Sequence, residues 1–301
     1  MILGVFGGSG LYDIDGLVEE RAEEVPTPFG APSGPVVSGR VGDARLLFVA
    51  RHGRGHLFSP SEINYRANVF ALKAAGATRV LSVSAVGSLR EGMRPGDFVV
   101  VDQFIDKTWG RGSTFFGDGV VGHVSFAEPT CPAFGGAVAA AASAAGFVEA
   151  PAEARRASAP ADGMKRFHRG GTYVCMEGPQ FSTRAESMLH RSWDADVIGM
   201  TAATEAKLCR EAELCFSALA LVTDYDGWHA EEAAVTARAV VEVLRANVAG
   251  AKEIVRRLPA STRSVAACGC ARAAAHAVLT APGAISPDAR QRLRALHGRD
   301  I

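Results

Sequence analysis

A chain of 301 residues has room for one large α/β domain or two ordinary ones, and 48% apolar residues with 33 glycines describe a sizeable core joined by many tight turns. Lys plus Arg equals Asp plus Glu at 32 each, which excludes the broad electrostatic footprint of a nucleic-acid or acidic-membrane binder, so any bound anion must be small and locally held. No apolar stretch reaches bilayer length, and the opening Met1-Ile2-Leu3-Gly4-Val5-Phe6 lacks a basic leader, so the sequence reads as cytoplasmic.

Residues 2–6 read as a first strand, broken by Gly7-Gly8-Ser9-Gly10. A second strand over 45–50 ends at Arg51-His52-Gly53-Arg54-Gly55-His56. The apolar spacing then predicts a helix over 60–75 that stops at Gly76. Strands follow over 79–85 and 97–101, a helix over 133–146, an extended piece over 172–176 and a helix over 184–191. Residues 149–169 are rich in Ala, Pro and Arg without period, which predicts an exposed, mobile excursion. A short strand over 197–200 leads to a helix over 201–212. The run Phe216-Ser217-Ala218-Leu219-Ala220-Leu221-Val222 reads as a buried parallel strand, and a long helix is expected over 231–257. The Ala/Arg-rich tail predicts one helix over 263–278 and another after Pro287. Strands alternating with helices define a single α/β domain over 1–258, with a central mixed, mostly parallel sheet, followed by a tail over 259–301 packed on it or on a neighbouring subunit.

The most informative stretch is Thr223-Asp224-Tyr225-Asp226, two carboxylates just beyond the buried strand, where open α/β sheets place ligands. In extended structure side chains two apart share a side, so both acids can face one ligand. Two acids in a partly dry site repel, which favours keeping one protonated so that it can donate to a heterocycle. A solvated Asp-rich turn is the plain alternative. Three strand ends carry anion chemistry: the glycine loop with Ser9, Arg51-His52, and Ser84-Ala85; Thr201 adds a helix N-terminus. The loop is neither a Walker loop nor a dinucleotide fingerprint. Six cysteines stand at 131, 175, 209, 215, 268 and 270, most within apolar segments as inert thiols. Cys268-Gly269-Cys270 can be a redox dithiol, half a metal site or a structural accident. No second Cys/His pair at zinc-finger spacing supports it, so no metal is expected.

With these pieces assembled, residues 2–257 resemble the trimeric purine nucleoside phosphorylase family, in its methylthioadenosine-cleaving branch. The carriers include Gly7-Gly8-Ser9-Gly10-Leu11, Thr27-Pro28-Phe29-Gly30, Ala50-Arg51-His52-Gly53-Arg54, Asn64-Tyr65-Arg66-Ala67-Asn68 and Gly87-Ser88-Leu89-Arg90. Ala127-Glu128-Pro129, Glu177-Gly178-Pro179-Gln180-Phe181-Ser182-Thr183-Arg184 and Thr223-Asp224-Tyr225-Asp226 complete the main set. The resemblance implies phosphate contacts at Ser9, Arg51, His52, Ser84, Ala85 and Thr201, with a purine against Phe181, Ser182, Asp224 and Asp226. It implies a ribose at the Met200 main chain, and a 5′ group near Val240, Val241 and His123 of a neighbouring subunit. Asp rather than Asn at 224 favours a 6-aminopurine, whose N6 donor and N7 acceptor suit one ionised and one protonated acid.

The implied reaction is phosphorolysis of methylthioadenosine to adenine and 5-methylthioribose 1-phosphate, with Asp224 as the acid, inorganic phosphate as co-substrate and no cofactor. A homotrimer or a dimer of trimers is the implied assembly. Rival readings are a broader phosphorylase of adenosine or 5′-deoxyadenosine, a water-using nucleosidase, and a decayed nucleoside-binding protein.

Overall fold

An apolar run such as 216–222 must be covered on both faces, and the fold is built around it. The computed structural model describes residues 1–8, 11, 17–157, 163–229, 237–263 and 267–300, apart from the side chains at 19, 20, 237, 239 and 240. Its strands are β1 (Ile2–Gly7), β2 (Val18–Glu23), β3 (Val36–Val41), β4 (Ala44–Ala50), β5 (Arg79–Ser88) and β6 (Phe98–Val101). They continue with β7 (Gln103–Asp106), β8 (Val148–Glu149), β9 (Arg166–Arg169), β10 (Thr172–Cys175), β11 (Val197–Gly199) and β12 (Cys215–Asp224). The helices are α1 (Tyr65–Ala74), α2 (Pro132–Ala144), α3 (Arg184–Ser192), α4 (Ala202–Glu211), α5 (Ala237–Ser261) and α6 (Pro287–His297).

All twelve strands join one mixed sheet, whose main path runs β2-β3-β4-β1-β5-β12-β6-β9-β8. Within it β4, β1, β5 and β12 are parallel. Phe216, Ala218, Ala220 and Val222 of β12 face one apolar cluster with α1 and α4, while Leu219 and Leu221 face another with α2 and α5. Burial on both faces is why β12 reads as an unbroken apolar run. Parallel order places the C-terminal ends of β4, β1, β5 and β12 along one edge. There β12 shifts register against β5 between Val222 and Asp224. The Thr223 hydroxyl donates to Asp224 Oδ2 (2.8 Å) and lies 3.1 Å from the Val86 carbonyl, so this irregularity holds Asp224 in place. A smaller limb, β7-β10-β11, pairs back on the end of β5 and brings Ile198 opposite Gly87.

Several expectations are corrected. The first helix starts at Tyr65 rather than at 60, because the Asn64 side chain accepts the Ala67 N–H and caps it there. Residues 149–169 are not wholly an excursion: β9 inserts beside β6, with Phe167 and His168 buried, although 158–162 lie outside the described residues. The helix expected over 263–278 is not formed by its described residues, which hold only a short 3-10 turn at Gly269–Arg272. Tertiary contacts take that backbone instead, Gly122 bridging Val278 and the Ala274 N–H donating to Glu213 (3.2 Å). α6 does form, capped by Ser286 and ended by Gly298 in the left-handed region, and Leu296 packs into the α1–α4 cluster.

Candidate active site

A cavity of about 650 Å3 opens at the C-terminal edge of the parallel strands. Of the residues singled out in the sequence, Arg51, His52, Ser84, Ala85, Phe181, Met200, Thr201, Asp224, Asp226 and Val241 line it. Ser182 and His123 do not line it. The Ser182 hydroxyl turns to Met176 Sδ (3.8 Å), and His123 is exposed with its N–H held by the Ala277 carbonyl (2.8 Å). Ser9 and the Val240 side chain lie outside the described residues.

The two acids meet by a route the sequence did not suggest. Asp226 leaves the extended conformation with φ at 52° and opens a 3-10 turn. Its N–H donates to Asp224 Oδ1 (2.8 Å), so a side-chain-closed turn sets the spacing rather than strand pleating. Burial raises the Asp224 pKa above the usual carboxylate range, against the hydrogen bonds from Thr223 and the Asp226 N–H. Asp226 is buried, and its Oδ2 has no partner within the protein, which leaves an acceptor for a ligand donor. Gly87 makes room for both acids: a Cβ there would stand 2.9 Å from Asp224 Oδ1 and 3.1 Å from Asp226 Cβ. Gly87→Ala should therefore displace the carboxyl, lowering kcat/KM by about 10^2 with the fold retained, as read from steady-state kinetics beside a far-ultraviolet spectrum.

The anion end differs from a bare cationic fork. Arg51 is 2% exposed and paired with Glu205, Nε to Oε1 at 2.5 Å and Nη2 to Oε2 at 3.1 Å. Ser82 Oγ joins both, at 2.9 Å from Nη2 and 2.5 Å from Glu205 Oε2, and Nη1 donates to the Val83 carbonyl (3.1 Å). Burial alone would lower the Arg51 pKa; the Glu205 charge and hydrogen bonds overcome it and keep the guanidinium protonated. Formal charge in the pair sums to zero, leaving one Nη1 hydrogen for the cavity. His52 Nδ1 lies 2.8 Å from the Phe58 carbonyl, so Nδ1 carries the hydrogen. Burial and then Arg51 push its pKa down to about 4, so the ring is neutral at physiological pH with Nε2 bare. Thr201 is the N-cap residue of α4 and spends no side-chain hydrogen bond on capping, so its hydroxyl and the helix's positive end are available. An anion here is met by dipoles, hydroxyls and one shared arginine.

Several residues of the site were not anticipated. Glu205 is the most consequential. Its signal was a carboxylate on the apolar face of α4, among Ala202, Ala203 and Ala206, where a buried charge needs a cation. His56, an exposed turn residue, also lines the cavity and stacks on His52 with ring centroids 4.3 Å apart. Arg111 binds the Met200 carbonyl, the Glu177 carbonyl (2.8 Å) and the Glu177 carboxylate (3.2 Å), fixing the main chain that borders the cavity. Leu244 and Val248 of α5 line the cavity with Val241, as do Leu57, Phe58 and Pro60.

Fold and site define an α/β protein with one cavity at a sheet edge, lined by Asp224 and Asp226 together with Arg51 and Thr201. The chain belongs to the phosphorylase superfamily, whose family pattern matches residues 2–259. It is 47% identical over 301 residues to the S-methyl-5′-thioadenosine phosphorylase of Cereibacter sphaeroides, covering 99% of this chain and 98% of that protein. Identity to the same-named protein of Geobacter sulfurreducens is 47% over 298 residues, with 99% and 98% covered. Among solved structures, a methylthioadenosine phosphorylase from an antarctic soil metagenomic library is similar with a TM-score of 0.88 at 42% identity, covering 98% of each chain. A variant of the adenosine/methylthioadenosine phosphorylase of Schistosoma mansoni in complex with adenine gives a TM-score of 0.80 at 40% identity, over 86% of this chain and 91% of that one.

Proposed function

We propose that this enzyme cleaves the N-glycosidic bond of S-methyl-5′-thioadenosine with inorganic phosphate, giving adenine and 5-methylthioribose 1-phosphate. The observation that carries the reading is a half-buried acid of raised pKa, Asp224, lining the same cavity as Arg51 and Thr201. Protonated Asp224 donates to purine N7 and makes adenine a better leaving group, while the free Oδ2 of Asp226 accepts from N6–H. As the bond lengthens, the sugar becomes an oxocarbenium ion. Phosphate at Arg51, Ser84, Ala85 and Thr201 stabilises that cation and attacks the anomeric carbon from the opposite face. The bare Nε2 of His52 can accept from a protonated phosphate oxygen. Phe181, 42% exposed at the wall, offers its ring to the base. Ser9 and Ser182 are assigned to the phosphate and the base edge by the family resemblance alone.

The apolar wall of Val241, Leu244 and Val248 suits a methylthio group better than a hydroxyl. Val240 and the neighbouring subunit's His123 complete this end in our reading, which requires a homotrimer or a dimer of trimers. The exposure of Val241 (42%) and of His123 supports a partner at that face. Inorganic phosphate is the only co-substrate invoked, no catalytic metal is needed, and the compartment is taken as cytoplasmic. No helix of the described residues is long and apolar enough to cross a membrane.

Adenosine is the second substrate to weigh, because the Schistosoma relative carries both nucleosides in its name. The test compares methylthioadenosine, adenosine and inosine at saturating phosphate. Methylthioadenosine should give the highest kcat/KM and inosine the lowest. Preference for inosine would overturn the assignment of the acid pair.

A further inference from the structure

We propose that Cys131, Cys215, Cys268 and Cys270 form a structural zinc site far from the active site. Their four Sγ atoms lie within 4.8 Å of one another, and three of the four residues are buried. A tetrahedral tetrathiolate with Zn–S bonds of about 2.3 Å has sulfurs about 3.8 Å apart, so the cluster needs only small shifts, some pairs closing and the Cys215–Cys268 pair opening. The Cys215–Cys268 separation is 3.3 Å, well beyond the ~2.05 Å of a disulfide.

Three separate parts of the chain supply the sulfurs. Cys131 is the N-cap residue of α2, Cys215 is the first residue of β12, and Cys268 and Cys270 flank Gly269 at the 3-10 turn of the tail. The Cys131 N–H donates to the Phe216 carbonyl (2.8 Å), which fixes the first two against each other. Thiolates gathered here gain from the positive end of the thirteen-residue α2.

Four soft donors and no hard oxygen ligand select zinc over magnesium or calcium. Binding is an acid–base step without redox change: each coordinating thiol releases its proton to solvent, and four S–Zn bonds form. The metal would fasten the tail to the edge of the core formed by α2 and β12. Cys215 and Asp224 are the two ends of one ten-residue strand, about 30 Å apart at strand rise, so the reaction should not depend directly on the ion.

Cys268 and Cys270 alone gave no reason to expect a metal, because Cys131 and Cys215 join them only through the fold. The test is elemental analysis of the full-length protein, isolated reduced and without added chelator and then reconstituted with zinc. About one zinc per chain is expected, with Cys268, the exposed member of the four, shielded from a thiol reagent until the metal is chelated. Cobalt substitution of the unmutated protein should give the sulfur-to-cobalt charge-transfer and ligand-field bands of a tetrahedral thiolate site. The double variant Cys268→Ser/Cys270→Ser should lose the zinc and melt roughly 5 °C or more lower. Its kcat on methylthioadenosine should be unchanged. Failure of the reduced protein to take up zinc would overturn the proposal. So would a freely reactive Cys268 in the zinc-treated protein, disulfides trapped directly from cells, or stoichiometric zinc retained by the double variant.

Discussion

Asp224→Asn is expected to lower kcat by about 10^2 to 10^4, the range for losing a positioned acid, while KM for methylthioadenosine changes little. The amide still donates to N7 from the same place but has no proton to give up. The pH profile separates this from a packing defect. Burial raises the Asp224 pKa, so the acid form persists to higher pH than for an ordinary carboxyl, and the rate falls as pH rises through that pKa. The variant should lack this alkaline limb. Linkage has the same sign: a carboxyl whose pKa is raised by folding contributes stability at low pH that is lost as pH rises through the folded value. At neutral pH the substitution should therefore not lower the melting temperature. The ratio of inosine to methylthioadenosine turnover should rise, since an amide can serve both N7 and a 6-oxo group. A kcat within threefold of the parent enzyme would remove Asp224 from the proton transfer.

Glu205→Ala should be the most damaging single change at the anion end. It leaves Arg51, 2% exposed, without its counter-charge, and removing one partner of a buried pair costs about 3–5 kcal/mol. Function should suffer separately. Glu205 and Ser82 hold two edges of the guanidinium so that one Nη1 hydrogen points to the cavity, and loss of that alignment should raise KM for phosphate tenfold or more. Glu205→Gln keeps one acceptor and a similar shape, so it should fall between the two in urea stability and in phosphate KM. Equal stability and equal phosphate KM in Glu205→Ala would mean that Arg51 is aligned by its other contacts.

The sheet's centre was legible because strands buried on both faces spell themselves out as apolar runs: β1, β4, β5 and β12 all do so. Edge strands carry no such signal. β2, Val-Glu-Glu-Arg-Ala-Glu, has four charged residues in six, as suits a strand at a sheet edge, and it was not anticipated. β9 is four residues, Arg-Phe-His-Arg, too short for any period to show against an Ala/Pro/Arg-rich background. The Ala-rich tail looked helical because Ala has the highest helix propensity, yet packing of Ala274 and Ala277 against Phe116 and Val120 decided otherwise. At the site, Asp224, Arg51 and Thr201 were found because each follows or opens an element. Glu205 and His56 were not, since their roles depend on contacts with Arg51 and His52 that only the fold brings about. The Asp224–Asp226 pair was found for an incomplete reason, the turn replacing the extended geometry that had been assumed.

The most direct measurement is release of adenine from methylthioadenosine, followed in parallel with and without inorganic phosphate. The account predicts adenine only when phosphate is present, with equimolar sugar 1-phosphate as the second product. Adenine released at the same rate in phosphate-free buffer, with free methylthioribose beside it, would contradict the assignment of Arg51, Ser84 and Thr201 to a nucleophilic phosphate.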